Sequence, residues 1–122
     1  MTNIKIGGRE IPLLFEMPQY AELEEAVGIL SDTPALFLKG KSRIKNIAAA
    51  LRVLGNGGLA AKGEKPDLTD EWVLKNMCPG QLRSYQIAVL AAITDGMRME
   101  TQEERERDLV LEEIERKKEP GS

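Results

Sequence analysis

Histidine is absent from this chain of 122 residues. Its absence removes the usual general base at neutral pH and the commonest metal-ligating side chain, and with them every Ser-His or Cys-His nucleophile. Cysteine occurs once, as Cys78, so no intrachain disulfide can form, in agreement with a reducing compartment. Beside Pro79 and without a partner base, Cys78 reads as packing. No apolar run approaches the ~20 residues needed to cross a bilayer, and the first residues lack the charged-then-apolar layout of a signal peptide, so a cytoplasmic protein is expected. Aromatic residues number only five: two Phe, two Tyr and one Trp.

What the chain does have is a 42% hydrophobic content, enough for one domain that buries roughly two thirds of its unfolded surface. The formal charge of −3 is unevenly spread. Arg98 to Glu119 holds nine acids and six bases, while the other acids and bases cancel at eleven each. Such a balance argues against a polyanion as partner.

Two alternating apolar runs meet at Gly7-Gly8 and predict a β-hairpin, because tight two-residue turns require the positive φ angles that glycine adopts. Period-two alternation puts Ile4 and Ile6 on one face of the first strand and Ile11, Leu13 and Phe15 on that of the second. Pro12 has no N–H for a ladder, which makes its strand an edge there. A lone hairpin is marginal in water, so its apolar face must lean on helices. Pro18, suited to a first helical turn, opens the nearest of these, with Tyr20, Leu23, Val27 and Leu30 on its apolar face and an end near Ser31-Asp32.

Pro34 to Leu38 predicts one or two helical turns, and Lys39, Lys41, Arg43 and Lys45 around it form a basic cluster. Ser42 is placed to cap a helix carrying Ile44, Ile47, Ala48, Leu51 and Leu54, which Gly55-Asn56-Gly57-Gly58 is expected to stop. Those glycines follow a helix and lack the Lys-Ser/Thr of a P-loop, so they are no phosphate cradle. Leu59 to Asp67 reads as an exposed loop. Thr69 caps the next helix, with Asp70 and Glu71 at the positive end of its dipole and Trp72, Val73 and Met77 as anchors.

Pro79 restarts the chain into a helix from about Gly80 to Met97, apolar on nearly every side from Ile87 to Ile93, which predicts the central helix of the domain. Thr101 and Glu104 form a capping box for a charged last helix, whose Glu103-Arg107, Glu112-Arg116 and Glu113-Lys117 pairs each contribute ~0.2–0.5 kcal/mol. Its narrow stripe of Val110, Leu111 and Ile114 suits either docking on the chain's own domain or recognition of another protein. The expected architecture is α+β and mainly α. An N-terminal hairpin packs on about four to five helices over residues 1–98, and residues 99–122 form the charged helix and a frayed end.

No catalytic, cofactor-binding or metal-binding set is predicted. Carboxylate pairs such as Glu24-Glu25 and Glu103-Glu104 fall on polar faces and read as solvated surface. The candidate partner-binding residues are Val110, Leu111, Ile114 and Phe37. A DNA-binding reading would use Lys39, Lys41, Arg43, Lys45 and Arg52 as phosphate contacts. One small basic cluster on a neutral-to-acidic chain is a poor electrostatic match to DNA.

Four segments carry a resemblance in the same order: Ile4 to Phe15, Tyr20 to Gly28, Lys45 to Leu59, and Leu68 to Met77. Their succession resembles the tail assembly chaperones of long, non-contractile-tailed phages and prophages. The resemblance implies a non-enzymatic chaperone in the cytoplasm of the bacterial host. It would coat the apolar helices of the tape measure protein and leave as tail tube subunits polymerise. The resemblance also implies self-association and, in many members, a longer product made by ribosomal frameshifting. From the residues themselves, no nucleic acid, membrane or cofactor is expected. The charged helix from Arg98 to Glu119 matches no motif of that family. Alternative readings are a small helical DNA-binding regulator and a minor structural component of the virion or tail.

Overall fold

Gly7 and Gly8 have φ angles of 58° and 78°, the paired positive values of a tight hairpin turn, and they join β1 (Thr2–Ile6) to β2 (Arg9–Leu13). The register runs from Ile6 opposite Arg9 to Thr2 opposite Leu13, so Ile4 faces Ile11. Ile6, Ile11, Leu13 and Phe15 are buried and Ile4 packs against them, the inner face expected from alternation. The computed structural model describes residues 1–98, and over them the fold is α+β and mainly helical. The helices are α1 (Met17–Val27), α2 (Thr33–Phe37), α3 (Arg43–Ala61), α4 (Asp70–Asn76) and α5, over residues 82–98. Short 3-10 turns, Leu30–Asp32 and Pro79–Gln81, lead into α2 and α5.

The chief correction to the sequence expectation lies in α3. The helix passes straight through Gly55-Asn56-Gly57-Gly58, and Leu59 beyond them is buried. None of these glycines has positive φ; the stop is Gly63, at φ 75°. There the Glu64 N–H donates to the Leu59 carbonyl at 2.8 Å and the Gly63 N–H to Ala60 at 3.0 Å, the bond pair that closes a helix at a left-handed glycine. The glycines inside α3 serve close approach instead. A Cβ on Gly58 would collide with the Pro12 carbonyl oxygen and lie 2.5 Å from its carbon. The hairpin therefore lies directly on the α3 backbone, and the Leu14 N–H donates to the Leu54 carbonyl at 3.0 Å.

That contact also changes which helix is central. Ten of the nineteen residues of α3 are buried, and β2, α1, α2 and α4 all pack against it. α5 buries Tyr85, Ala88, Val89, Ala92 and Ile93 on one face but leaves Ile87 57% exposed on another. It is a flanking helix, contrary to the expectation from its apolar content. α1 also ends earlier than expected, at Val27, where Gly28 (φ 113°) turns the chain. Leu23 and Leu30 are buried, with Tyr20 and Val27 packed beside them.

Local signals held elsewhere. The Thr69 hydroxyl accepts from the Trp72 N–H at 3.1 Å, so it caps α4 as expected. Ser42 occupies the N-cap position of α3, yet its side chain makes no capping bond. The charged helix expected from Thr101 onward lies outside the described residues.

Candidate functional site

Two side-chain amides fix the short helix α2. Helix C-termini leave carbonyls without intrahelical donors. Asn46 Nδ2 on α3 donates to the Leu36 carbonyl at 2.9 Å, and Gln86 Nε2 on α5 donates to the Phe37 carbonyl at 3.1 Å. Phe37 itself is fully buried. This corrects its expected role: it is a core anchor and has no surface to offer a partner. The next residue, Leu38, is 42% exposed.

Tyr85 performs the matching task at the start of α5. Its ring is buried, its hydroxyl accepts from the Cys78 N–H at 2.9 Å, and it donates to Gln81 Oε1 at 3.2 Å. These bonds hold the turn Pro79–Gln81 against the helix it opens. Between Leu38 and that turn runs a half-open groove of about 630 Å³. Its apolar lining is Leu38, Pro79, Leu82, Ile87 and Leu90, and Arg83 supplies the one charge. Lys39 and Lys41, which follow Leu38 in the chain, are exposed as well. An apolar trough with basic neighbours suits an amphipathic helix with acidic flanks.

None of the groove's lining residues was expected from the sequence to contact a partner. Ile87 and Leu90 are three residues apart in the apolar run of α5, a signal that was present but is equally that of a buried helix. The other candidate contacts, Val110, Leu111 and Ile114, lie outside the described residues.

A second polar cluster joins three helices. Arg52 on α3 pairs with Asp70 on α4 at 2.6 Å and with Glu22 on α1 at 3.0 Å. Partial burial pulls the guanidinium pKa down, but the hydrogen bonds and charges of Asp70 and Glu22 outweigh it and leave the pKa above its ordinary value. Arg52 is thus committed to holding the fold, and it is not a spare phosphate contact. Among the described residues, no group of three His, Cys, Asp or Glu side chains is placed to hold a metal ion. Cys78 is exposed, which overturns its reading as a packed residue. No described helix is long and apolar enough to cross a membrane. No family model, curated protein or solved structure matches this chain.

Proposed function

We propose that this protein is a non-enzymatic chaperone of phage tail assembly that binds and solubilises the tape measure protein until tail tube subunits replace it. One observation carries the reading beyond the order of its sequence segments: the exposed apolar groove between Leu38 and Ile87, beside basic residues. Leu38 and Ile87, exposed on the two sides of one groove, offer apolar surface that the apolar face of a partner helix can cover. A tape measure protein offers the complement, long helices whose apolar stripes need cover until the tube forms. Recognition then works as helix-in-groove: apolar side chains at i, i+3 or i+4 enter the trough, and acidic flanks meet Arg83, Lys39 and Lys41.

Co-expression with the tape measure protein tests this. The proposed function predicts that the tape measure protein moves from the insoluble to the soluble fraction and co-purifies with this chain. If it stays insoluble when this protein is abundant and folded, the chaperone reading is wrong.

A further inference from the structure

The hairpin turn fixes which backbone groups of β1 point into the ladder and which point away from it. Ile6 and Arg9 flank the two-residue turn as a hydrogen-bonded pair, so by alternation Ile4 with Ile11 and Thr2 with Leu13 are such pairs too. Lys5 with Glu10 and Asn3 with Pro12 are then the pairs whose N–H and C=O groups point outward. Two contacts on β2 agree with this phase. Pro12 has no N–H and stands where the ladder needs none, and its carbonyl faces Gly58 of α3. On the same side the Leu14 N–H donates to the Leu54 carbonyl at 3.0 Å. The outer edge of β2 is therefore taken by α3.

The outer edge of β1 is not. Asn3 and Lys5 are exposed, and among the described residues no group bonds to the main-chain N–H or C=O that each directs away from β2. Strand edges are commonly blocked by proline or by a charge on the inner face. β1 has neither, since its inward residues are Thr2, Ile4 and Ile6.

The edge is complementary to itself in one register. When it is laid antiparallel on a second copy, outward groups meet only where Asn3 or Lys5 faces Asn3 or Lys5. Pairing Lys5 with Lys5 opposes like charges, and pairing Asn3 with Asn3 aligns only part of the strand. Asn3 opposite Lys5 aligns all of Thr2–Ile6, repeats itself across a two-fold axis and sets Ile4 opposite its counterpart at a closely spaced pair.

We propose that two copies of this chain join through β1 in that register and form a four-stranded antiparallel sheet in the order β2-β1-β1-β2. Each Asn3–Lys5 pair supplies two main-chain hydrogen bonds, and Lys5 meets no like charge. Two five-residue strands cover less than the ~1,600 Å² of a standard interface, so the dimer is reversible and forms between micromolar and millimolar concentration. The contact uses no lining residue of the α5 groove, so its failure is separate from failure of the chaperone reading.

Hydrogen exchange of main-chain amides in the full chain, followed by NMR across that concentration range, reads the contact directly. The Asn3 and Lys5 amides are predicted to exchange fast in dilute solution and to slow as sedimentation shows the dimer, whereas those of Ile4 and Ile6 stay slow throughout. Asn3→Pro removes an outward donor and leaves the ladder intact, as Pro12 does opposite it, and should weaken the dimer about tenfold or more. Asn3→Asp and Asn3→Lys both lose the 3.4 Å side-chain bond to the Met1 carbonyl, so the difference between them isolates charge. Opposite Lys5, the first should tighten the dimer about fivefold and the second weaken it by a similar factor. This pair keeps the test decisive if the proline disturbs the hairpin. A monomer throughout the range, or a dimer whose Asn3 and Lys5 amides still exchange fast, would overturn the proposal. Slow exchange at those amides that does not change with concentration, or an affinity unmoved by the Asp and Lys substitutions, would overturn it as well.

Discussion

At the scale of single residues, the packing of the hairpin turns on one missing side chain. Gly58→Ala gains ~1 kcal/mol of helix propensity but sets a Cβ against the Pro12 backbone, where overpacking costs ~1–3 kcal/mol or more because a carbonyl cannot swing aside. A net loss of about 2 kcal/mol is expected in denaturant unfolding. Gly57→Ala is the control: its Cβ would meet only the Gln19 side chain, which can rotate away at the expense of its 3.0 Å bond to the Glu16 N–H. The gain and the lost bond should offset to within about 1 kcal/mol. Asn56 makes a second residue-scale test. Its amide accepts from the Leu68 N–H at 2.9 Å and donates to the Leu68 carbonyl at 3.1 Å. Asn56→Ala leaves both groups of a buried residue unpaired and should cost about 2 kcal/mol, measured the same way.

The elements show which local signals survive tertiary packing. Thr69 was legible because a cap is settled within four residues: Thr69→Ala should lose about 1 kcal/mol while Thr69→Ser keeps most of the stability, a difference readable in thermal midpoints. Gly7-Gly8 was legible for the same reason. Gly55 to Gly58 was not, since their role is set by Pro12, a residue far away in sequence, and no local pattern distinguishes a stop glycine from a docking glycine. The end of α3 instead depends on Gly63, inside what reads from sequence as loop. Arg52 ties α1, α3 and α4 by the same long-range logic. Its side chain is 24% exposed and its partners more so, so screening keeps Arg52→Ala to a loss of about 1 kcal/mol that shrinks with added salt. On the arginine side no pH dependence is expected near neutrality. A raised folded pKa gives stability that is fully present below the unfolded value and is lost only as pH rises through the folded one, far above neutral.

For the whole molecule, hairpin, helix order and α+β class follow from patterning, but the distribution of surface does not. An all-round apolar run in α5 fits both a buried centre and a flanking helix with a working outer face. In the fold the hairpin lies on α3 at Gly58 and on α5 at Gly96, while Ile87 on another face of α5 is 57% exposed. Phe37 and Leu38 show the same ambiguity on a smaller scale. At the end of so short a helix either could face inward; Phe37 does, while Asn46 and Gln86 hold the Leu36 and Phe37 carbonyls and Leu38 just beyond is exposed. A groove formed in this way should be alterable without harm to the core. Ile87→Asp changes a side chain 57% exposed, so the unfolding free energy should move by less than ~0.5 kcal/mol, the usual range for surface substitutions.

The central claim is that this groove receives an amphipathic helix of the tape measure protein. Its most direct test is a calorimetric titration of a tape measure helix into the full chain and into Ile87→Asp, with the fold of each checked by its unfolding curve. Loss of an apolar contact worth ~1.5–3 kcal/mol predicts binding weakened about tenfold or more in the variant. Equal affinity for the two folded proteins would contradict the claim and place the binding surface elsewhere.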